Sequence, residues 1–345
     1  MTRQISFADA VNEALMLAME ADESVILMGE DIAGGAQVDH LQNDEAWGGV
    51  LGVTKGLVQK FGRERVLDTP ISEAGYIGAA AAAAATGMRP VAELMFNDFI
   101  GCCLDQLMNQ AAKMRYMFGG NAEVPLTIRT THGAGFRAAA QHSQSLYALF
   151  THIPGLKVVI PSTPADAKGL LLASIEDNDP VIFFEDKTLY NMKGEVPEGH
   201  YIIPLGKADI KRVGSDLTIV AIGKQVHTAL MAAVELAKYG IQVEVVDPRS
   251  LSPLDEGTIL SSVAKTHRLI VIDEATPRCS VATDIAALVA DKGFDTLDAP
   301  IKLITGPHTP VPFSPALEDV FLPSPKKVIQ VVSELLGDSS IVAMP

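Results

Sequence analysis

Short, continuous apolar runs alternate with helix-type patterns along this chain, and this alternation limits the fold more than any other feature. The runs include VILMG (25–29), RPVAELM (89–95), PVIFFED (180–186) and LTIVAIG (217–223). Strands without polar alternation are covered on both faces, which is typical of parallel sheets with helices on either side. We therefore predict an α/β fold built on doubly wound parallel sheets.

The length of 345 residues exceeds what one hydrophobic core usually serves, so two domains are expected. The apolar pattern lapses into a polar stretch containing proline and glycine, and a second α/β series then begins. We predict a first domain over residues 1–190, a linker over 191–215 and a second domain over 216–345.

Composition excludes several classes of function. The formal charge of −15 argues against non-specific nucleic-acid binding, which needs a basic surface. The N-terminal MTRQISFADAVNEALM lacks the apolar core of a signal peptide, and no apolar stretch is long enough to span a bilayer. The three cysteines show neither a metal-ligand spacing nor a disulfide framework. We expect a cytoplasmic protein without membrane or nucleic-acid partners.

Several common ligand motifs are missing. The sequence has no GxGxxG after a strand, no GxxxxGK[ST], no GxSxG and no GDG followed by asparagine for Mg²⁺ and diphosphate. Ligands of parallel α/β domains nevertheless bind beyond the carboxyl ends of the strands. The segments that follow the predicted strands are therefore the places to expect a site.

The segment LDTPISEAGYIGAAAAAAATG (67–87) is the most distinctive of these. Ser72 can cap the helix that follows, with Glu73 in its first turn. Glu73 either complements the helix dipole or has a chemical role, and the spacing alone leaves both readings open. The run of alanines allows close approach of a neighbouring element or of another subunit.

Two further segments carry candidate residues. His142 lies in GAGFRAAAQHSQS (133–145), among small and amide side chains, and its position at the predicted strand ends favours a functional role over a structural one. Phe96 and Phe99 in MFNDF (95–99) close a predicted strand, and their pattern alone favours core packing.

Taken together, these segments resemble a known family. LDTPISEAGYIGAA, RPVAELMFNDF, AAQHSQS, PGLKVVIPSTPADAKGLL, DPRSLSPLD and HTPVPFSP occur in the order found in beta subunits of the thiamine-diphosphate-dependent decarboxylating component of 2-oxo-acid dehydrogenase complexes. The resemblance covers essentially the whole chain. The loop HLQNDEAWGGVLGVTKGL, AELMFNDFIG and the PHTPVPFSP segment are most similar to the acetoin dehydrogenase branch.

The resemblance implies an N-terminal domain that binds the pyrimidine of thiamine diphosphate and a C-terminal domain like that of transketolase. It implies an alpha subunit that holds the diphosphate and Mg²⁺, which would account for the missing Mg²⁺ motif. The expected assembly is an α₂β₂ heterotetramer docked on a dihydrolipoamide acyltransferase core. The expected reaction is cleavage of acetoin to acetaldehyde, with transfer of the acetyl unit to lipoyl-lysine. Pyruvate or a branched-chain 2-oxo acid is the alternative substrate.

The resemblance also implies roles for individual residues. Glu73 matches the glutamate that hydrogen-bonds N1′ of the cofactor, and Phe99 matches the aromatic that stacks on the aminopyrimidine. Phe96 and Leu94 match nearby wall positions.

His142 matches a histidine near the thiazolium and substrate, and Glu30 an acid in a path that couples paired active sites. A structural K⁺ site of the family falls here on Leu126, Ser174, Ile175, Asp177 and Asp179, where Asp179 departs from an asparagine seen in some relatives.

Two other functions stay open at this stage. A non-catalytic scaffold subunit would keep the fold and lose the chemistry. A self-sufficient transketolase-like enzyme is disfavoured by the length of the chain and by the missing Mg²⁺ motif.

Overall fold

A computed structural model describes residues 2–34 and 47–337. Contacts divide the chain into two compact units. The first comprises the residues up to His132 together with Leu149–Leu205, and the second comprises Gly133–Ala148 together with the residues from Gly206 onward. Residues 40–46 of the loop HLQNDEAWGGVLGVTKGL lie outside the described residues.

The helices and strands of the N-terminal half follow the predicted alternation. In chain order they are β1 (Thr2–Ser6), α1 (Phe7–Ala21), β2 (Val25–Gly29), α2 (Leu57–Phe61), β3 (Val66–Asp68), α3 (Glu73–Ala85), β4 (Arg89–Phe96), α4 (Ile100–Asp105), α5 (Ala112–Met117), β5 (Thr127–His132), α6 (Tyr147–Thr151), β6 (Lys157–Val159), α7 (Pro164–Glu176), β7 (Val181–Asp186) and β8 (Lys193–Pro197).

Six of these strands form the parallel sheet of the first unit, in the order β6-β7-β5-β4-β2-β3. Helices α1 and α7 pack together as one layer, and α3 packs on α4 as the other. The predicted doubly wound α/β fold is confirmed for this unit.

Local sequence signals explain where several helices begin. Ser6 caps α1 by accepting a hydrogen bond from the backbone N–H of Asp9, and the Asp9 carboxylate accepts one from the backbone N–H of Ser6. Thr163 caps α7 in the same manner through the Asp166 backbone, and Pro164 occupies the first helical position.

The C-terminal half contains the elements β9 (Asp209–Arg212), β10 (Leu217–Ala221), α8 (Gln225–Ala237), β11 (Val243–Asp247), β12 (Ser250–Ser252), α9 (Glu256–Thr266), β13 (Leu269–Ile272), α10 (Val281–Lys292), β14 (Lys302–Ile304), α11 (Pro315–Phe321) and α12 (Pro325–Leu336). Its sheet has the order β14-β13-β10-β11-β9, with β9 antiparallel and the other strands parallel.

Two segments differ from the sequence prediction. The stretch 191–215, predicted as a linker, contains β8, which pairs with β1, and β9, which pairs with β11. Apolar residues recur at helical spacing over 100–116, which predicts a single helix. The structure breaks that helix at Cys103, which has non-helical dihedrals, and by a π-helical turn over Gln106–Ala111. That turn lies against α3, where a Cβ on Gly78 would approach Cγ of Gln106 to 3.1 Å. The small side chains of α3 thus allow close packing within the chain.

The core of each unit is built from the apolar runs. Strands β5 and β7 are buried at every position, as are β10 and β11. Among residues 2–34 and 47–337, no helix combines the length and the hydropathy needed to cross a membrane.

Gly155 lies in very close contact with the backbone of α5, at Ala112. Its φ is +101°, and an added Cβ would lie 1.9 Å from the carbonyl oxygen of Ala112. We expect Gly155→Ala to lower the free energy of unfolding by about 3 kcal/mol, combining left-handed strain with a backbone clash. Gly62→Ala is the control, because Gly62 has φ +75° with nothing within 4 Å of the added Cβ. Urea unfolding measures both, and equal losses would contradict the clash.

Candidate active site

The carboxyl ends of β2, β3 and β4 meet at one edge of the first sheet, because these strands are parallel neighbours. Glu30 follows β2 directly, and Glu73 opens α3 after β3. Phe96 ends β4, and Phe99 ends the single 3₁₀ turn Asn97–Phe99 that follows. The structure therefore brings these four predicted site residues to the edge where parallel sheets bind ligands.

Phe96 and Phe99 form an aromatic pair at this edge. Their ring centroids are 5.6 Å apart at an interplanar angle of 72°, an edge-to-face arrangement. Both rings are partly exposed. Leu94, in contrast, is completely buried in β4. The ammonium of Lys187 lies 5.5 Å from the centroid of Phe96 as a cation–π contact. These observations suit Phe99 for stacking on a planar ligand, with Phe96 as support.

Glu73 is the first residue of α3 and is half-buried. The Ser72 side chain makes no capping hydrogen bond to the first turn of the helix. A helix N-terminus favours a negative charge. The position is therefore suited to presenting a carboxyl group to a ligand at the sheet edge.

Glu73 belongs to a group of carboxylates. Burial raises the pKa of Glu30 above its ordinary value. The carboxylates of Asp31, Glu73 and Glu93 raise it further. Glu30 therefore retains a proton more readily than an isolated glutamate does.

Two neutral side chains flank the same carboxylates. Burial and then the charge of Glu73 raise the pKa of the Tyr76 hydroxyl, which donates a hydrogen bond to the carbonyl oxygen of Glu93 at 3.1 Å. Burial and Glu73 also raise the pKa of the Cys103 thiol to about 12. Both groups therefore stay protonated near neutral pH, and neither neutralises the carboxylates.

The buried guanidinium of Arg129, in β5, contacts one member of this group, Glu93. It binds Glu185 through two hydrogen bonds of 2.7 and 2.9 Å and Glu93 through one of 2.7 Å. Tyr190 donates a further hydrogen bond to Glu185 at 2.8 Å. Burial raises the pKa of Glu93, and Arg129 opposes that shift.

The sequence reasoning missed Glu93, Arg129 and Glu185. The available signal was a charged residue within each of the strands β4, β5 and β7, since buried charges require partners. Glu93 and Arg129 lie directly opposite each other in the register of β4 and β5.

His142 is placed with the second unit, in the segment 133–148. Its side chain is partly exposed, and its backbone N–H donates to the carbonyl of Ala139 at 3.4 Å. Tyr147 ends this segment with its hydroxyl hydrogen-bonded to Asp273. Both Tyr147 and Asp273 are completely buried.

The five residues predicted to hold K⁺ lie together at the end of α7 and beside β5. The carbonyls of Leu126 and Ser174 accept hydrogen bonds from Val181 N at 2.9 Å and from Thr127 Oγ1 at 3.1 Å.

Three basic side chains bind the oxygens of the other three residues, Ile175, Asp177 and Asp179. Arg89 binds the carbonyls of Ile175 and Asp177 at 3.0 and 3.1 Å. Lys157 binds the Asp177 carboxylate at 2.7 Å, and Arg115 binds Asp179 at 2.9 Å. These oxygens therefore do not form an unoccupied cage for K⁺. The K⁺ assignment stays a prediction, and no step below depends on it.

Comparison with known families places this architecture. Residues 3–193 match the model "Transketolase, pyrimidine binding domain", and residues 206–328 match "Transketolase, C-terminal domain". A relative from Bacillus subtilis (strain 168), named acetoin:2,6-dichlorophenolindophenol oxidoreductase subunit beta, is 74% identical over 99% of this chain and 100% of its own length. The chain belongs to the family of beta subunits of thiamine-diphosphate-dependent dehydrogenases.

Two more distant proteins are also similar to this chain. The pyruvate dehydrogenase E1 component subunit beta of the same Bacillus subtilis strain is 43% identical over 96% of this chain and 99% of its own length. A solved structure described as a split-gene transketolase, inactive beta4 tetramer, superposes with a TM-score of 0.75 at 21% identity. It covers 96% of this chain and 98% of that one, and it supports the fold alone.

The buried ion-pair cluster of Arg129, Glu93 and Glu185 leads to a prediction about stability. Glu185→Gln leaves Arg129 without its doubly bonded partner, and we expect a loss of about 3 to 5 kcal/mol in the free energy of unfolding. The matched control is Glu256→Gln, which removes an exposed ion pair with Lys292. We expect no measurable change there. Chemical denaturation of both variants makes the comparison, and a loss of the same size in each would contradict the role of burial.

Asp273 generates a pH prediction. Burial raises its pKa from 3.8 to about 6 in the folded chain. The folded state therefore holds a proton between pH 3.8 and 6 that the unfolded state has released. The stabilisation from this proton is complete below pH 3.8 and is lost as the pH rises through 6. Relative to Asp273→Asn, the wild type should lose about 3 kcal/mol of unfolding free energy between pH 3.5 and 7.

The measurement is urea unfolding at several pH values between 3.5 and 7. Asp291→Asn, at an exposed position of α10, is the control and should follow the wild type throughout. A constant difference between the wild type and Asp273→Asn across this range would contradict the assignment.

Proposed function

We propose that this chain is the beta subunit of an acetoin-cleaving oxidoreductase, which converts acetoin to acetaldehyde and passes the acetyl unit to a lipoyl-lysine. The observation that carries the proposal is the 74% identity to a beta subunit named for acetoin, over the full length of that relative. The relative named for pyruvate, from the same organism, reaches only 43% over a comparable length. That difference favours acetoin over a 2-oxo acid.

The residues at the edge of the first sheet fit the aminopyrimidine of thiamine diphosphate. An aromatic pair offers a stacking surface, and a carboxyl group beside it offers a partner for a ring nitrogen. In this proposal Phe99 stacks on the ring, Phe96 and Leu94 support it, and Glu73 binds N1′. When bound, thiamine diphosphate supplies the carbanion chemistry and the electron sink, while the protein orients it and sets the local charge.

Glu73 has to share a proton with the ring nitrogen for this chemistry. Its neighbourhood supports that role, because Glu30 and Glu93 add negative charge and Glu30 has a raised pKa. Crowded carboxylates retain protons more readily than isolated ones. In this proposal Glu30 serves as the next proton carrier after Glu73, and His142 exchanges a proton with the substrate.

The proposal includes partners. An alpha subunit supplies the binding site for the diphosphate and Mg²⁺, in an α₂β₂ heterotetramer that docks on a dihydrolipoamide acyltransferase core. The absence of a GDG motif from this sequence supports the division of labour between two chains. We also propose a cytoplasmic location. The three cysteines, all unpaired in the structure, support a reducing compartment.

Replacing Glu73 tests the chemistry. We expect Glu73→Gln to lower kcat with acetoin by at least about 100-fold, because the amide cannot exchange a proton with N1′. Glu256→Gln, in the first exposed turn of α9, is the control and should keep wild-type activity. Reduction of a dye acceptor by the assembled alpha and beta subunits measures both, and native mass spectrometry checks the 2:2 assembly.

The same assay separates the alternatives. Near-wild-type turnover in Glu73→Gln, with assembly intact, would support a scaffold subunit. Faster turnover of pyruvate or a branched-chain 2-oxo acid than of acetoin would replace the proposed substrate. Activity from the beta chain without an alpha subunit would support a self-sufficient enzyme.

A further inference from the structure

The segment 133–148, which carries His142, is closed on itself and held within the second unit. Its base is closed by the N–H of Gly133, which donates to the carbonyl of Gln144 at 3.2 Å. Arg137 and Ala139 have φ values of 61° and 62°, in the left-handed region that residues other than glycine rarely adopt. Such a conformation persists only where surrounding contacts enforce it. The backbone conformation of this loop therefore depends on its contacts with the rest of the second unit.

The loop docks at the place where an open α/β sheet usually binds a ligand. In the second sheet β10 and β13 are neighbours, and their crossovers run in opposite directions, from β10 to β11 and from β13 to β14. Because both crossovers are right-handed but run in opposite directions, α8 and α10 lie on opposite faces of the sheet. A crevice therefore opens between them at the carboxyl ends of β10 and β13. Lys224 and Gln225 follow β10 at this edge, and Glu274 follows β13.

Glu274 is the first anchor of the loop. Its side chain is 4% exposed, and its Oε1 accepts hydrogen bonds from Ser145 Oγ at 2.6 Å and from the N–H of Ala134 at 3.2 Å. Lys224 pairs with its other oxygen at 2.9 Å and also donates to the carbonyl of Ala134. Both ends of the loop are thus fixed to one buried carboxylate, and a buried charge holds such donors strongly.

Glu318, in α11, is the second anchor. It is completely buried, and it accepts hydrogen bonds from the N–H of Gly135 at 2.6 Å and from Arg137 Nη1 at 2.8 Å. Arg137 also binds Asp319 at 2.6 Å and the carbonyl of Pro315 at 3.1 Å. These contacts fix the strained residue of the loop from its far side.

We infer that Glu274 and Glu318 are positioning residues for His142, so that the second unit uses its ligand crevice to hold the loop of the catalytic histidine. Each acts by enforcing the backbone of residues 133–146, which otherwise would relax from its left-handed conformation. The catalytic part of this inference rests on the proposed function of His142, and the holding of the loop does not.

Ser145→Ala tests the first anchor without removing a charge. The second unit offers a matched control, because Ser262 donates to the buried Glu244, which also pairs with Lys265, away from the loop. In the α₂β₂ enzyme we expect Ser145→Ala to speed amide hydrogen exchange across 134–146 by about tenfold. Ser262→Ala should leave exchange in that segment unchanged. Unchanged loop exchange in Ser145→Ala, or equal acceleration in both variants, would overturn the anchoring.

A double-mutant cycle tests the route through His142. We expect Ser145→Ala to lower kcat about fivefold with KM for the substrate nearly unchanged, and to have no further effect in a His142→Ala background. The substrate is whichever one the wild type turns over fastest, so a failure of the acetoin proposal leaves this test intact. Multiplicative losses in the double variant would overturn the positioning role.

The second anchor has its own variants. Glu318→Gln removes the charge that Arg137 binds, and Arg137→Met removes the partner while leaving Glu318 in place. We expect both to accelerate loop exchange and to lower kcat by similar factors, with thiamine diphosphate affinity preserved. If Glu318→Gln does not fold, Arg137→Met alone decides. Wild-type exchange in that variant would overturn the role of Glu318.

Discussion

A parallel sheet that is covered by helices on both faces can bind ligands only at the ends of its strands. This constraint determines where the residues of the candidate site lie. In the first sheet β5 and β7 are buried at every position, so neither face can bind a ligand. Parallel pairing places all the carboxyl ends on one side. Glu30, Glu73 and Phe99, which are distant in sequence, therefore share one edge.

The electrostatics of that edge follow from an unequal distribution of charge. Arg129 is a single cation between two carboxylates, and two of its three hydrogen bonds to them go to Glu185. Glu93 accepts the third, and its charge contributes to the raised pKa of Glu30. A proton is therefore retained more readily at Glu30, which lies at the same edge as Glu73.

The second sheet has the same type of edge and uses it differently. Its crevice at β10 and β13 contains a loop of its own chain, bound through the buried carboxylates Glu274 and Glu318. In the proposed mechanism, the second unit holds the loop that carries His142.

The sequence determined the strands, because continuous apolar runs are local properties; β2, β4 and β10 lie where the pattern predicted them. Family motifs identified Glu73, Phe99 and His142 as candidates. Only the tertiary structure decided which charges are paired, since Arg129 and Glu185 are 56 residues apart and no local pattern joins them. The break in the helix after Cys103 and the docking of residues 133–148 also depend on packing. Contacts between distant residues are fixed by the sheet register, which the pattern of one strand cannot specify.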